Sequence, residues 1–156
     1  MKELHGQATA IVAAPQAECV TLLAAVDRYP EWYPDVVREV EVLERDRAGR
    51  PTKVEATLHV ARGPLVRDFH LILAVMVDST GTIKLTRLPR EPAEKERFEV
   101  TWRLQSVRNG DSTEVTLALD ANLDVPRLVP LGGIGDSMAQ GFVGAASEAL
   151  GSRPRH

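Results

Sequence analysis

Apolar and polar residues alternate along much of the chain after residue 35, which is the pattern of strands that bury one face. Residues 3–13 also contain several β-branched residues, which are typical of a strand. The pattern predicts six further strands, around 40–42 and at 54–60, 65–78, 82–88, 98–104 and 115–123. Short turns at 47–50, 62–64, 79–81, 89–92 and 109–111 separate them, so consecutive strands should pair antiparallel.

Helical spacing is found at two places outside this run of strands. Cys19, Leu22, Leu23 and Val26 predict a helix over 16–26, with Pro15 at its first position, where a missing N–H costs nothing. The segment 29–34 then ends this helix, because its two prolines allow at most one further short turn.

The second helical stripe lies near the C-terminus. Met138, Phe142, then Ala145 or Ala146, and Ala149 follow each other at spacings of three and four. They predict a helix over 135–150, with Gly151 just past its end. Pro126 and Pro130 end the strands before it.

This order of elements predicts the α+β class, because every helix lies outside the run of strands. We expect a curved, seven-stranded antiparallel sheet around the long C-terminal helix, with one or two short helices after the first strand. A length of 156 residues predicts one domain, assigned to 1–151, with 152–156 as a disordered tail.

Composition excludes several classes. Nineteen Lys and Arg against 22 Asp and Glu give a net charge of −3, which disfavours a nucleic-acid binder. A single cysteine, Cys19, excludes an internal disulfide and a Cys-rich zinc site, and we expect it to pack as a small apolar residue. The histidines lack metal-ligand spacing, so neither a metal nor a cofactor is predicted.

The same composition favours a cytoplasmic protein. No apolar run approaches the roughly 20 residues needed to span a bilayer, and residues 1–6 lack the apolar core of a signal peptide. A monomer or a homodimer is expected, with no nucleic acid and no integral membrane segment.

The predicted packing leaves space inside. A helix of about 16 residues spans roughly 24 Å and cannot fill a curled sheet, and Gly141 and Gly144 thin its side. Aromatic residues are only 4% of the chain. We therefore hypothesise an apolar cavity of roughly 300–1,000 Å³ between sheet and helix. The alternative is a sheet that collapses onto the helix, with the glycines allowing that close approach.

Three segments carry a family resemblance: 27–36 (DRYPEWYPDV), 42–50 (VLERDRAGR), and 100–104 (VTWRL) followed by 110–115 (GDSTEV). Together they resemble the START-like (SRPBCC) superfamily over nearly the whole chain. The resemblance implies a helix-grip fold with a binding site between sheet and helix. Members include lipid and hormone carriers, coenzyme-Q-binding proteins and polyketide aromatase/cyclases. The catalytic residues of the cyclases have no matching motif here, so none is assigned.

Aromatic and aliphatic side chains supply the candidate ligand contacts. Trp32, among two tyrosines and two prolines, either stacks on a flat ligand or plugs the helical turn onto the sheet. Alternation places Phe98, Val100 and Trp102 on one face, where they contact ligand or core, and a buried Trp102 needs a partner for its indole N–H. The predicted ligand-binding residues are Trp32, Leu58, Phe69, Leu71, Leu73, Phe98, Val100, Trp102, Met138 and Phe142.

Acid–base candidates are few. Asp68 and His70 share one face of a strand and Arg67 the other, so an inward Asp68–His70 pair is one hypothesis for a general base. The alternative places that pair on the convex face, with Phe69 and its apolar neighbours inside. Arg87 is a further weak candidate. The segment 132–137 (GGIGDS) lacks the Lys-Ser/Thr ending of a phosphate loop and is interpreted as a flexible entry to the last helix.

Three functions remain from the sequence. The first is binding or carriage of a small hydrophobic molecule such as a lipid, isoprenoid or aromatic polyketide. The second is a polyketide aromatase/cyclase or dehydratase, which inward Arg87, Asp68 or His70 would favour. The third is an interaction with protein or ribosome, which would need a cationic patch. The arginines considered for that patch are Arg45, Arg47, Arg50, Arg87 and Arg90.

Overall fold

The computed structural model describes residues 2–63, 65–123 and 133–151. Its strands are β1 (Lys2–Val12), β2 (Val37–Arg45), β3 (Pro51–Arg62), β4 (Leu65–Val77), β5 (Thr82–Arg87), β6 (Arg97–Val107) and β7 (Ser112–Leu123). Its helices are α1 (Gln16–Ala24), the single turn α2 (Tyr29–Trp32) and the long α3 (Ile134–Gly151). A 3₁₀ turn, Val26–Arg28, joins α1 to α2.

All seven strands form one antiparallel sheet in the order β1-β7-β6-β5-β4-β3-β2. Consecutive strands from β2 to β7 pair directly, as expected from short turns. The first strand pairs with the last, from Lys2 opposite Leu123 to Val12 opposite Thr113. The predicted α+β helix-grip fold is therefore confirmed.

Small differences from the prediction lie at the helix ends. Pro15 precedes α1 in an extended conformation (φ −64°, ψ 154°) instead of occupying its first turn. Gly151 is the last residue of α3 and does not follow it. The predicted tail 152–156 and the prolines Pro126 and Pro130 lie outside the described residues.

Alternation decides which face of the sheet is buried. In β6, Phe98, Val100, Trp102 and Leu104 are buried, whereas the residues between them are exposed or only partly covered. Cys19 is buried in α1, as expected for a small apolar side chain. α3 covers this concave face with a stripe that includes Met138, Phe142 and Ala146.

The N-terminal end of α3 meets β1 through two glycines. A Cβ added to Gly6 would overlap the Gly135 carbonyl, and a Cβ added to Gly135 would overlap the His5 carbonyl. Asp136, in the first turn of α3, accepts a hydrogen bond from the Gln7 backbone N–H at 3.0 Å. This contact fixes where α3 crosses the sheet.

Of the two glycines expected to thin the helix, Gly144 does not face the sheet. Gly144 is exposed and a Cβ there would meet no atom within 4 Å. The close approach of helix to sheet is made by Gly135, within the segment that the sequence indicated only as a flexible helix entry. Gly144 therefore makes no room for a ligand.

We expect Gly6→Ala to lower the free energy of unfolding by about 1–3 kcal/mol, because backbone atoms of α3 would have to move away from β1. The matched control is Gly144→Ala, which should raise it by about 0.5–1 kcal/mol, since its added methyl lies in open space on a helix. Urea denaturation measures both. Equal stability of Gly6→Ala and the unaltered protein would contradict the close contact.

Candidate functional site

The concave face encloses a small apolar gap. Its volume is about 30 Å³, roughly the room that one or two water molecules need. Side chains from the 3₁₀ turn, α2, five strands and α3 surround it: Val26, Tyr29, Val37, Val40, Ala56, Leu58, Leu73, Leu85, Phe98, Val100, Trp102 and Phe142. The expected volume of several hundred Å³ is wrong for this state of the protein.

Aromatic side chains explain the small volume. Tyr29 enters the concavity from α2 and Phe142 enters it from α3, and both are buried. Trp102 fills the sheet side and is fully buried. Seven aromatic residues are few in the sequence, but several of them converge here. The number of aromatic residues is therefore a poor guide to how full the concavity is.

A second gap adjoins the first. It measures about 10 Å³ and is lined by Tyr33, Val36, Val60, Ala61, Met138 and Phe142. Phe142 belongs to the wall of both gaps. Its ring meets the Tyr33 ring edge-on, with 4.7 Å between centroids and 73° between planes. Phe142 is therefore the wall residue that the two gaps share.

Two polar groups face this apolar interior. The Tyr29 hydroxyl donates a hydrogen bond to the Leu23 carbonyl at the end of α1, at 2.5 Å. The Trp102 indole Nε1 is buried and has no hydrogen-bond partner among the described residues. Burial raises the pKa of the Tyr29 hydroxyl above its ordinary value, and the nearby Trp102 indole opposes part of that rise. The indole is thus close to Tyr29 without making a hydrogen bond of acceptable geometry.

The predicted ligand-binding residues divide into three groups. Leu58, Leu73, Phe98, Val100, Trp102 and Phe142 line the larger gap, and Met138 lines the smaller one. Phe69 and Leu71 are buried in the core but belong to neither wall. Trp32 is partly exposed and packs beside Tyr29 and Tyr33.

Trp32 borders a different space, an open groove of about 830 Å³ among α1, α2 and α3. Charged side chains of Arg28, Glu31 and Glu148 contribute to its walls, and Arg28 pairs with Glu31 at 2.8 Å. This groove is far larger than the interior gaps. However, its charged, solvent-open walls would not remove an apolar ligand from water, so the interior is the better candidate for such a ligand.

The sequence alternation missed several wall residues. Tyr29 lies in a proline-rich segment that predicts only a short turn, so the pattern does not show that it faces the sheet. Val37 was not predicted because a bulge disturbs the register of β2 against β3 beside it. Ala56 and Leu85 alternate regularly, so their strands gave the signal, but nothing in the alternation separates a cavity wall from the rest of the core.

Asp68 and His70 lie on the outer face of β4, as in the alternative interpretation. They do not act as a pair. Asp68 lies 2.6 Å from Nδ1 of His59 on β3, and His70 Nδ1 lies 3.2 Å from the Thr57 hydroxyl. Both side chains are exposed and the apolar Phe69 between them points inward. The hypothesis of an inward Asp68–His70 base is therefore not supported by their positions.

Arg87 does belong to the inward-facing set of β5, and its side chain is 11% exposed. It donates hydrogen bonds to the Glu94 carboxylate at 2.8 Å and to the Glu96 carbonyl. Arg67 forms two hydrogen bonds with the Glu96 carboxylate, at 2.9 and 3.0 Å, and lies over the Phe69 ring. The guanidinium charges at this end of the concave face are therefore balanced by carboxylates of the same chain.

Two of the remaining arginines have acidic neighbours. Arg45 lies 3.7 Å from Asp27, and Arg90 lies 3.8 Å from Glu55. These two pairs partly balance the charge that a cationic protein-binding patch would need. Among the described residues, no group of three or more His, Cys, Asp or Glu side chains is placed to hold a metal ion. None of the described helices is both long and apolar enough to cross a membrane.

Comparison with known proteins identifies the family. Residues 12–144 match the family model described as polyketide cyclase / dehydrase and lipid transport. The chain therefore belongs to this family, and the START-like resemblance is confirmed. No curated protein matches the sequence.

Solved structures share the fold at low identity. A START superfamily protein from Mycobacterium smegmatis is 18% identical, with a TM-score of 0.74 over 94% of this chain and 97% of its own. A conserved protein from Geobacillus kaustophilus is 14% identical, with a TM-score of 0.73 over 94% and 95%. The Zhui aromatase/cyclase from Streptomyces sp. R1128 is 20% identical, with a TM-score of 0.57 over 96% and 87%.

The buried tyrosine predicts an alkaline dependence of stability. Because the pKa of Tyr29 is raised in the folded state, its hydroxyl stays protonated above pH 10 while the unfolded chain loses that proton. The unfolded state then binds fewer protons, so the free energy of unfolding should fall by about 1.4 kcal/mol per pH unit above about pH 10. Denaturant unfolding from pH 8.5 to 11 measures this slope. Tyr29→Phe should lack this part of the slope, and an identical slope in both proteins would contradict the assignment.

Proposed function

We propose that the protein binds a small hydrophobic molecule between its sheet and α3. The observation that carries the proposal is the shared wall of the two apolar gaps. Because Phe142 alone belongs to both linings, a change in its position would join the gaps into one larger space. The gaps are thus the closed form of the site.

Desolvation supplies the binding energy in this proposal. The described walls are almost entirely aliphatic and aromatic, so each CH₂ group of a ligand buried there contributes about 0.8 kcal/mol. Opening the site costs the contact of Phe142 with Tyr33 and exposes apolar surface, which the ligand then covers. Membership of a family whose description includes lipid transport supports the same class of ligand.

The aromatase/cyclase or dehydratase alternative has one observation in its favour, the inward position of Arg87. Against it, the only acid–base side chain in the described walls of the larger gap is Tyr29. A tyrosine hydroxyl is protonated at neutral pH, burial raises its pKa further here, and its proton is donated to the Leu23 carbonyl. The geometry therefore favours binding over acid–base catalysis. A cytoplasmic location and a monomeric or homodimeric state remain predictions of the sequence.

The first test is native mass spectrometry of the protein freshly purified from its own host. A co-purifying apolar molecule, released and identified after denaturation, is the expected result. Titration with the hydrocarbon tetralin, followed by ligand-observed NMR, tests the same site with a defined probe. A protein that carries no molecule and binds no tetralin while its circular dichroism shows a complete fold would contradict the proposal.

The second test enlarges the site. Phe142→Ala should cost about 3–5 kcal/mol of stability, yet bind tetralin at least about tenfold more tightly, because apolar cavities made by such truncations accept small hydrocarbons. The matched control is Ile134→Ala, which truncates another buried residue of α3 that borders neither gap. Equal tetralin affinity in the two variants would show that Phe142 does not close a binding site.

A further inference from the structure

Trp102, on the concave face of the sheet, carries a buried polar hydrogen that no described residue accepts in a hydrogen bond of acceptable geometry. Trp102 is fully buried, and its indole Nε1 has no hydrogen-bond partner. Leaving a buried donor without a partner is unfavourable, and nearly all buried donors in folded proteins are paired. An unpaired donor of this kind is therefore an observation that needs an explanation.

The position of the Trp102 N–H suggests an explanation for its missing partner. Trp102 is part of the wall of the larger gap, opposite an otherwise apolar lining. Because Trp102 belongs to the lining of this gap, an acceptor group that enters the gap can reach its unpaired N–H.

The neighbouring Tyr29 limits what the donor can recognise. Its hydroxyl proton is committed to the Leu23 carbonyl, so Tyr29 presents no second donor to the gap. Its pKa is raised by burial, so it carries no negative charge at neutral pH. The described polar groups in this wall thus offer a ligand one donor, the indole N–H, and no cation that would hold a carboxylate or phosphate.

We propose that the ligand carries a neutral acceptor oxygen, such as a ketone, quinone or ether oxygen, which accepts a hydrogen bond from Trp102 Nε1 while its apolar body lies toward Phe142. This inference rests on the proposed binding function and specifies the ligand of the same site. An anionic headgroup is disfavoured, because Arg67 and Arg87 are engaged by Glu94 and Glu96. A pure hydrocarbon would leave the indole unsatisfied.

The experiment compares two probes that differ in one group, 1-tetralone and tetralin. The tetralone carbonyl is an acceptor, whereas tetralin has the same ring system and none. We expect the unaltered protein to bind tetralone roughly five- to tenfold more tightly than tetralin, because tetralone adds one hydrogen bond to a buried donor. Trp102→Phe should remove that preference; because it also enlarges the apolar gap, tetralin affinity should rise, so the ratio of the two affinities is the quantity compared.

A spectroscopic measurement locates the hydrogen bond. In protein labelled with ¹⁵N at the two indoles, tetralone should move the Trp102 N–H proton signal downfield, and tetralin should not. Trp32 supplies the internal control, because its Nε1 is also buried and unpartnered but its ring borders the outer groove. Trp32→Phe should bind both probes like the unaltered protein.

The outcomes separate the two proposals. If both probes bind but the tetralone preference survives in Trp102→Phe, the acceptor inference is overturned and hydrophobic binding stands. A shift of the Trp32 signal alone would place the ligand in the outer groove and overturn both. If neither probe binds the unaltered protein or Phe142→Ala, the binding function fails and the inference fails with it.

Discussion

The backbone contact between Gly6 and Gly135 sets the geometry of the whole interior. It brings the start of α3 against β1 more closely than any side chain would permit. The hydrogen bond from the Gln7 N–H to the Asp136 carboxylate holds the first turn of α3 to the same strand. Phe142 lies two helical turns further on, about 10 Å along the axis. The place where the helix touches the sheet therefore determines that Phe142 enters the concavity and divides it.

The resulting interior is almost filled by apolar side chains, but one of its polar groups lacks a hydrogen-bond partner among the described residues. Apolar packing is almost complete, with gaps of about 30 and 10 Å³, while one indole N–H is left without a partner. An unpaired buried donor of this kind lowers stability. An aromatic side chain shared by two gaps and an unpaired donor in the same wall are the two features on which the proposed binding site rests.

Much of the fold follows from periodicity. The alternation in β6 assigned Phe98, Val100 and Trp102 to one buried face, and the stripe of Met138 and Phe142 gave α3 nearly to the residue. The volume of the interior did not follow, because it depends on which side chains converge in space. Tyr29 and Phe142 are more than a hundred residues apart, and no local pattern shows that they line the same gap as Trp102. The contact of Gly6 with Gly135 could not be predicted either, since the two glycines are far apart in the sequence.

The central claim is that the closed interior opens to place a ligand between Trp102 and Phe142. A crystal structure of the protein grown with 1-tetralone tests it most directly. The account predicts the tetralone ring against Phe142 in a changed rotamer, with its carbonyl oxygen 2.7–3.2 Å from Trp102 Nε1, the ordinary range for such a hydrogen bond. Tetralone bound only in the groove beside Trp32, with the interior packed as in the ligand-free protein, would contradict it.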